Sequence, residues 1–72
     1  MPTWEALTGR ELEVLTLIGA RMSNKEIART LQLSSQTVKK HSSSIYRKLQ
    51  VENRREAVSR AQTLGLLHAE RA

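Results

Sequence analysis

Four helix-start signals recur along this chain of 72 residues, and they constrain its fold more than any other feature. A Ser, Thr or Asn followed three residues later by Glu can form a capping box, in which both side chains satisfy free backbone N–H groups. This spacing occurs at Thr8 with Glu11, at Ser23 with Glu26 and at Asn53 with Glu56, and Ser34 is a fourth candidate cap. The sequence therefore predicts an all-α fold with four helices.

Apolar residues at helical spacing follow each start signal, and glycines mark two of the ends. The predicted helices run from Thr8 to about Ala20, over residues 24–32, over 34–50, and from Asn53 to Gly65. A brief connector at Leu33 joins the second helix to the third, and two short helices joined by a tight turn are typical of a helix-turn-helix. We expect one domain, residues 1–72, with its core within about residues 7–67.

The composition argues against metal sites, membrane spans and catalysis. The chain has no Cys or Asp, and His41 and His68 lie far apart, so we expect no metal and no cofactor. Its apolar runs are far shorter than the ~20 residues that span a bilayer, and its start lacks the pattern of a signal peptide. No nucleophile–base pair is evident, so we expect a non-enzymatic cytoplasmic protein without catalytic residues.

Positive charge is concentrated in the middle of the chain. Residues 21–60 carry ten Lys and Arg against three Glu, whereas residues 1–20 carry one Arg against three Glu. Such a local excess is typical of a protein that binds a polyanion, although a merely solvated surface would look similar.

The third helix concentrates this charge on one side. Winding residues 35–50 at about 100° per residue places Val38, His41, Ile45 and Leu49 in one stripe. The opposite side carries Gln36, Lys39, Lys40, Ser43, Arg47 and Gln50. A solvated helix usually mixes charges of both signs, but no acidic residue occurs between Leu31 and Val51. The pattern favours a helix that reads the DNA major groove, where Lys suits guanine acceptors and Gln suits adenine, over a polar face that is cationic by chance.

Phosphate contacts are expected around these base-reading positions. Ser34 and Ser35 can donate to phosphate oxygens near the helix start, and Arg47 and Lys48 suit the DNA backbone better than the bases. We interpret His41 as a residue at the edge of the core, with a phosphate contact as the alternative. Tyr46 is expected beside the core. Tyr46 and Trp4 are the only aromatic residues and are not interleaved with the cations, which argues against a stacking platform for single strands.

Five segments together resemble the LuxR-type helix-turn-helix domain. They are LTGRELEVL (7–15), SNKEIA (23–28), LSSQTVKKH (33–41), IYRKL (45–49) and RREAV (54–58). The likeness extends over about residues 7–67, and the C-terminal part resembles the large ATP-regulated members of the family. It implies a four-helix module that belongs to a larger bacterial transcription regulator and binds double-stranded DNA through its third helix.

The resemblance also implies roles for individual residues. The positions that correspond to base contacts are Lys39, Lys40 and Ser43. Those that correspond to backbone contacts are Ser34, Ser35, Gln36 and Lys48, with Asn24 and Lys25 of the second helix. A homodimer on DNA is implied, with its contact around Arg55, Val58, Ser59 and Gln62 of the fourth helix.

Two positions depart from the family pattern, because Arg21 and Gln50 stand where Gly is usual. Gly permits a left-handed backbone that costs another residue about 1 kcal/mol. We therefore expect a first turn that differs in detail and a third helix that runs on slightly.

The main alternative function is a protein-interaction module, for example a domain that contacts RNA polymerase. It requires an exposed apolar or acidic docking patch, and the predicted outer faces show little of either.

Overall fold

The computed structural model describes residues 6–67, and all four predicted helices are present in that range. They are α1 (Gly9–Gly19), α2 (Asn24–Leu31), α3 (Ser35–Leu49) and α4 (Arg54–Thr63), and residues 6–67 contain no strand. The predicted all-α, four-helix class is confirmed. Trp4, His68 and both ends of the predicted 1–72 domain lie outside the described residues.

Side-chain caps explain why each helix begins where it does. The predicted capping boxes of α1 and α2 are complete, with both reciprocal hydrogen bonds present. Ser34 caps α3 by accepting a hydrogen bond from the backbone N–H of Thr37 at 3.0 Å. Asn53 caps α4 in the same way, because its side-chain oxygen accepts a hydrogen bond from the backbone N–H of Glu56. The Glu56 carboxylate accepts from the backbone N–H of Glu52 rather than from that of Asn53, so this capping box is incomplete.

All four helices end in the same hydrogen-bonded motif. Its central residue has a left-handed backbone, with φ of 66° at Arg21, 58° at Gln32, 59° at Gln50 and 77° at Gly65. The N–H of the next residue bonds the carbonyl five positions earlier, as in a Schellman motif. That next residue is apolar and packs against the core in every case: Met22, Leu33, Val51 and Leu66.

These ends correct one of the expectations from the sequence. Arg21 and Gln50 adopt the left-handed backbone that Gly would adopt, and α3 ends at Leu49 without running on. The physical reason is the apolar residue that follows each of them. Its burial offsets the cost of a left-handed non-glycine residue, which is about 1 kcal/mol.

The core lies between all four helices. Both α1 and α3 pack against the other three, and α3 packs most extensively. The buried apolar residues are Val14, Leu15, Ile18, Ile27, Ala28, Val38, Ile45, Leu49, Ala57 and Ala61. Since only one stripe of α3 enters this core, the opposite side of the helix is left for solvent or for a partner.

Candidate nucleic-acid interface

Six polar side chains form what we call the outer face of α3, and all of them are exposed: Gln36, Lys39, Lys40, Ser43, Arg47 and Gln50. The face carries three cations and no carboxylate. In the range that the structure describes, no hydrogen bond or ion pair joins the side chain of Lys39 or Lys40 to another residue. The face therefore presents unneutralised positive charge to the solvent.

The opposite side of α3 explains why this face is held outward. Val38, Ser42, Ile45 and Leu49 are buried, so this side of the helix is turned toward the core. An α-helix with its side chains is about 10–12 Å across, and the major groove of B-DNA is about 12 Å wide. A helix such as α3 is thus narrow enough to enter the major groove with its outer face toward the bases.

The start of α2 carries two of the predicted phosphate contacts. Lys25 is exposed, whereas Asn24 is half-buried. The Asn24 side-chain oxygen accepts a hydrogen bond from Arg54 Nη2 at 3.3 Å, and Arg54 Nη1 also donates to the carbonyl of Met22. Arg54 of α4 therefore ties down the turn that leads into α2, and the amide group of Asn24 is partly engaged within the domain.

The two serines at the start of α3 differ in their freedom. Ser35 is exposed with no side-chain hydrogen bond to the described residues. The hydroxyl of Ser34 caps the helix and lies 2.8 Å from the hydroxyl of Thr37. Ser35 is therefore the freer of the two to donate to a ligand.

Lys48 lies in a different environment from the one expected of a phosphate contact. Its Nζ forms a 2.7 Å ion pair with Glu11 Oε1 of α1 and donates to the carbonyl of Ala6 at 3.0 Å. Its side chain is only 21% exposed. The ammonium group is thus neutralised inside the domain, which argues against the predicted phosphate contact because that contact would have to displace Glu11.

Glu11 remains ionised in this environment. Burial by itself raises the pKa of Glu11, but hydrogen bonds from Lys48, from Ser44 and from the Thr8 backbone outweigh it and lower the pKa to about 2. Glu11 therefore both completes the capping box of α1 and is the counter-ion of Lys48 in α3.

The residues at the edge of the core occupy intermediate positions. His41 and Tyr46 are half-buried, and Tyr46 packs against the core as expected. The four residues predicted for a dimer contact lie together along one open cleft between α4 and the end of α1: Arg55, Val58, Ser59 and Gln62. This cleft also has Arg21 and Arg54 on its lining.

Neither a metal-binding cluster nor a membrane-spanning helix occurs among the described residues. Among residues 6–67, no three His, Cys, Asp or Glu side chains are grouped so that they could hold a metal ion. Of the helices described, none combines the length and apolar character needed to cross a bilayer.

Sequence reasoning missed the long-range roles of Glu11, Lys48 and Arg54. The capping box gave Glu11 a complete local role, so nothing in the sequence signalled a second partner 37 residues away. A weak signal existed for Arg54, because an Arg that follows an Asn cap lies at the exposed start of a helix and can reach across to a neighbouring turn.

Comparison with known proteins identifies the family. The sequence profile of the bacterial regulatory proteins of the luxR family matches residues 5–61. The chain is 49% identical over 53 residues to the HTH-type transcriptional regulator YhjB of Escherichia coli strain K12, which covers 74% of this chain and 26% of YhjB. It is 45% identical over 58 residues to the HTH-type transcriptional regulator MalT of Vibrio cholerae, which covers 81% of this chain and 6% of MalT.

A solved structure agrees with these matches. The transcription factor GerE superposes with a TM-score of 0.79 at 39% identity, over 85% of this chain and 91% of GerE. The chain therefore belongs to the luxR family and has its helix-turn-helix fold, which confirms the resemblance seen in the sequence. It spans about a quarter of the length of YhjB and a much smaller part of MalT.

Proposed function

We propose that this luxR-family domain binds double-stranded DNA sequence-specifically by placing α3 in the major groove, as the effector part of a longer bacterial transcription regulator. The observation that carries the proposal is the outer face of α3, where three exposed cations lie without a carboxylate. A duplex supplies the counter-charge and the acceptor groups that this face lacks within the domain. Work on DNA would place the protein in the cytoplasm.

The central positions of the outer face are assigned to the bases. Lys39, Lys40 and Ser43 are exposed on consecutive turns, with Lys39 and Ser43 spaced four residues apart. Lysine ammonium groups suit the O6 and N7 acceptors of guanine, and a serine hydroxyl can bond either a donor or an acceptor. These three residues would discriminate base pairs over a short half-site.

The flanking positions are assigned to phosphates. Arg47, Gln36, Ser35 and Lys25 are all exposed at the borders of α3 and at the start of α2. Ser34 and Asn24 join them as weaker candidates, because their side chains already bond within the domain. Such contacts fix the register of the protein on the duplex but carry no sequence information.

Lys48 is left out of the proposed phosphate contacts. Its ammonium group already has a carboxylate at 2.7 Å and a carbonyl at 3.0 Å. We assign it a structural role, developed below.

Two copies would bind together on a two-fold site with half-sites about one helical turn apart. The cleft beside α4 groups the four predicted dimer residues on one accessible surface, which supports this part of the proposal. Transcription regulation would follow from occupancy of the site, and a contact with RNA polymerase stays a prediction.

The decisive experiment selects bound duplexes from a random library at moderate salt. We then expect Lys39→Ala and Lys40→Ala each to reduce base preference at one or two positions of the site. The expected loss of discrimination is about 1–3 kcal/mol per position. Arg47→Ala and Lys25→Ala should weaken binding to all sequences alike and reduce the salt slope by about 0.9 each.

Arg10→Ala is the matched control, because it removes one exposed cation from α1, where Arg10 pairs with Glu13 at 3.7 Å. It should leave base preference unchanged. If Lys39→Ala and Lys40→Ala changed neither affinity nor selectivity relative to Arg10→Ala, the proposed recognition face would be wrong. Selected sequences without paired half-sites would contradict the dimer.

A further inference from the structure

One carboxylate connects the beginning of α1 to the end of α3. Glu11 Oε1 accepts hydrogen bonds from the backbone N–H of Thr8 at 2.9 Å and from Lys48 Nζ at 2.7 Å. Ser44 lies close enough to the same carboxylate to help lower its pKa. Lys48 in turn donates to the carbonyl of Ala6, so the cap of α1 and the last turns of α3 form one continuous hydrogen-bonded network.

This network constrains the rotation of α3 about its own axis. Glu11 holds Lys48 at 2.7 Å, and Ser44, one turn before Lys48, faces the same carboxylate. Lys40 lies one turn before Ser44 on the same stripe of α3. A rotation of ~10° at a helix radius of ~5–6 Å would move a side chain by about 1 Å. Hydrogen bonds to base edges tolerate only a few tenths of an ångström in length, so such a rotation would misalign the outer face.

We propose that Glu11 and Lys48 are positioning residues for DNA recognition: their ion pair sets the rotation at which α3 presents Lys39, Lys40 and Ser43 to the bases. The inference rests on the proposed function of the outer face. It implies that a buried carboxylate strengthens specific binding to a polyanion.

Simple electrostatics predicts the opposite sign, which makes the inference testable. Replacing a Glu by Gln raises the net charge of the domain from +5 to about +6 and should strengthen attraction to phosphates. A positioning role requires Glu11→Gln to weaken binding to the preferred site in spite of this added charge.

Glu13→Gln is the matched control. It makes the same chemical change on the same helix, but Glu13 is exposed and its partner Arg10 lies 3.7 Å away on the same helix. Both variants are compared on the selected duplex and on a random duplex, at a temperature where circular dichroism shows each protein fully folded. Under that condition a loss of global stability alone does not change the affinity.

The expected result is a change in selectivity confined to one variant. Glu11→Gln should bind the selected duplex about tenfold more weakly, as for partial loss of one bidentate base contact, with random-duplex affinity unchanged or slightly raised. Glu13→Gln should stay within about twofold of wild type on both. The inference is overturned if Glu11→Gln behaves like Glu13→Gln, or if it loses affinity equally on both duplexes.

Lys48 provides a second measurement. A phosphate contact predicts that Lys48→Gln lowers the salt slope by about 0.9, whereas a positioning role leaves the slope at the wild-type value and lowers selectivity. The losses of Glu11→Gln and Lys48→Gln should not add in the double variant, since both break one interaction. A reduced salt slope for Lys48→Gln, or additive losses in the double variant, would contradict a positioning role for the Glu11–Lys48 pair.

One readout separates failure of this inference from failure of the proposed function. In the free domain, Glu11→Gln should shift the backbone amide NMR signals of Lys39, Lys40 and Ser43, and Glu13→Gln should not. If wild type fails to discriminate between duplexes, the proposed function is wrong, and the NMR comparison still decides whether the pair sets the position of α3. Unmoved signals would exclude it.

Discussion

Lys40 and Lys48 lie two turns apart on the same helix and have opposite surroundings. Lys40 is exposed, and within residues 6–67 no acidic side chain pairs with it. Lys48 is held by Glu11 and by the Ala6 carbonyl, with its side chain 21% exposed. Two identical residues on α3 are thus suited to different tasks, one to an external anion and the other to the packing of α3 on α1.

Two neighbouring serines show the same division. Ser43 is exposed on the outer face, whereas Ser42 is 6% exposed on the inner side of α3. The difference depends on the rotation of the helix and on what the other helices place opposite each residue. A cation or a hydroxyl therefore becomes an interface residue only where the rest of the domain leaves it without a partner.

The largest effect expected from the difference between Lys40 and Lys48 is on the pH dependence of stability, because Lys48 is paired with Glu11. The pKa of Glu11 is lowered from 4.5 to about 2, so the unfolded chain binds more protons than the folded one between these values. Stability from Glu11 is therefore present above about pH 5 and is lost as the pH falls through 2, by about 3 kcal/mol. Urea unfolding between pH 6 and pH 2 measures it.

The contribution of Glu11 is isolated by comparing wild type with two variants. The pKa of Glu26 is also lowered, by hydrogen bonds from Ser23, so wild type alone does not separate the two groups. Glu11→Gln should lose markedly less stability than wild type over this pH range, while Lys40→Gln should run parallel to wild type. Parallel curves for wild type and Glu11→Gln would show that the ion pair contributes nothing to folding.

The next effect in size separates the two lysines directly. Lys48→Met leaves a buried carboxylate without its cation and should lower the free energy of unfolding by about 2 kcal/mol at pH 7. Lys40→Met removes a side chain with no partner among residues 6–67 and should stay within about 0.5 kcal/mol of wild type. Met keeps a similar helix propensity, so the difference reports the ion pair. If Lys48→Met and Lys40→Met lowered the free energy of urea unfolding equally, the ion pair of Lys48 would not contribute to stability.

The sequence predicts the helices well because their signals are local. A cap and its partner lie within three residues of each other, so the starts at Thr8, Ser23, Ser34 and Asn53 are read directly from the order of residues. The exposed face of α3 is likewise predictable, since the apolar stripe of one helix determines which side faces the core.

The features that the sequence did not predict depend on what lies across the fold. The left-handed backbone at Gln50 depends on burial of Val51, which becomes clear only once the core is assembled. The partner of Lys48 is 37 residues away, and only the packing of α1 on α3 brings it to 2.7 Å. A sequence pattern can identify a cation on a helix but cannot determine whether another helix neutralises it.

The smallest effect concerns the serine on the inner side of α3. The Ser42 hydroxyl is buried, and its oxygen has no hydrogen-bond partner among residues 6–67. Such a group loses its bonds to water on folding and gains nothing in return, and Ala also has a helix propensity better by about 0.5 kcal/mol. Ser42→Ala should therefore stabilise the domain by about 1 kcal/mol, whereas Ser43→Ala should gain only the propensity difference and should lose base preference. A Ser42→Ala variant less stable than wild type in urea unfolding would mean that the Ser42 hydroxyl has a hydrogen-bond partner, as the Lys48 ammonium group does.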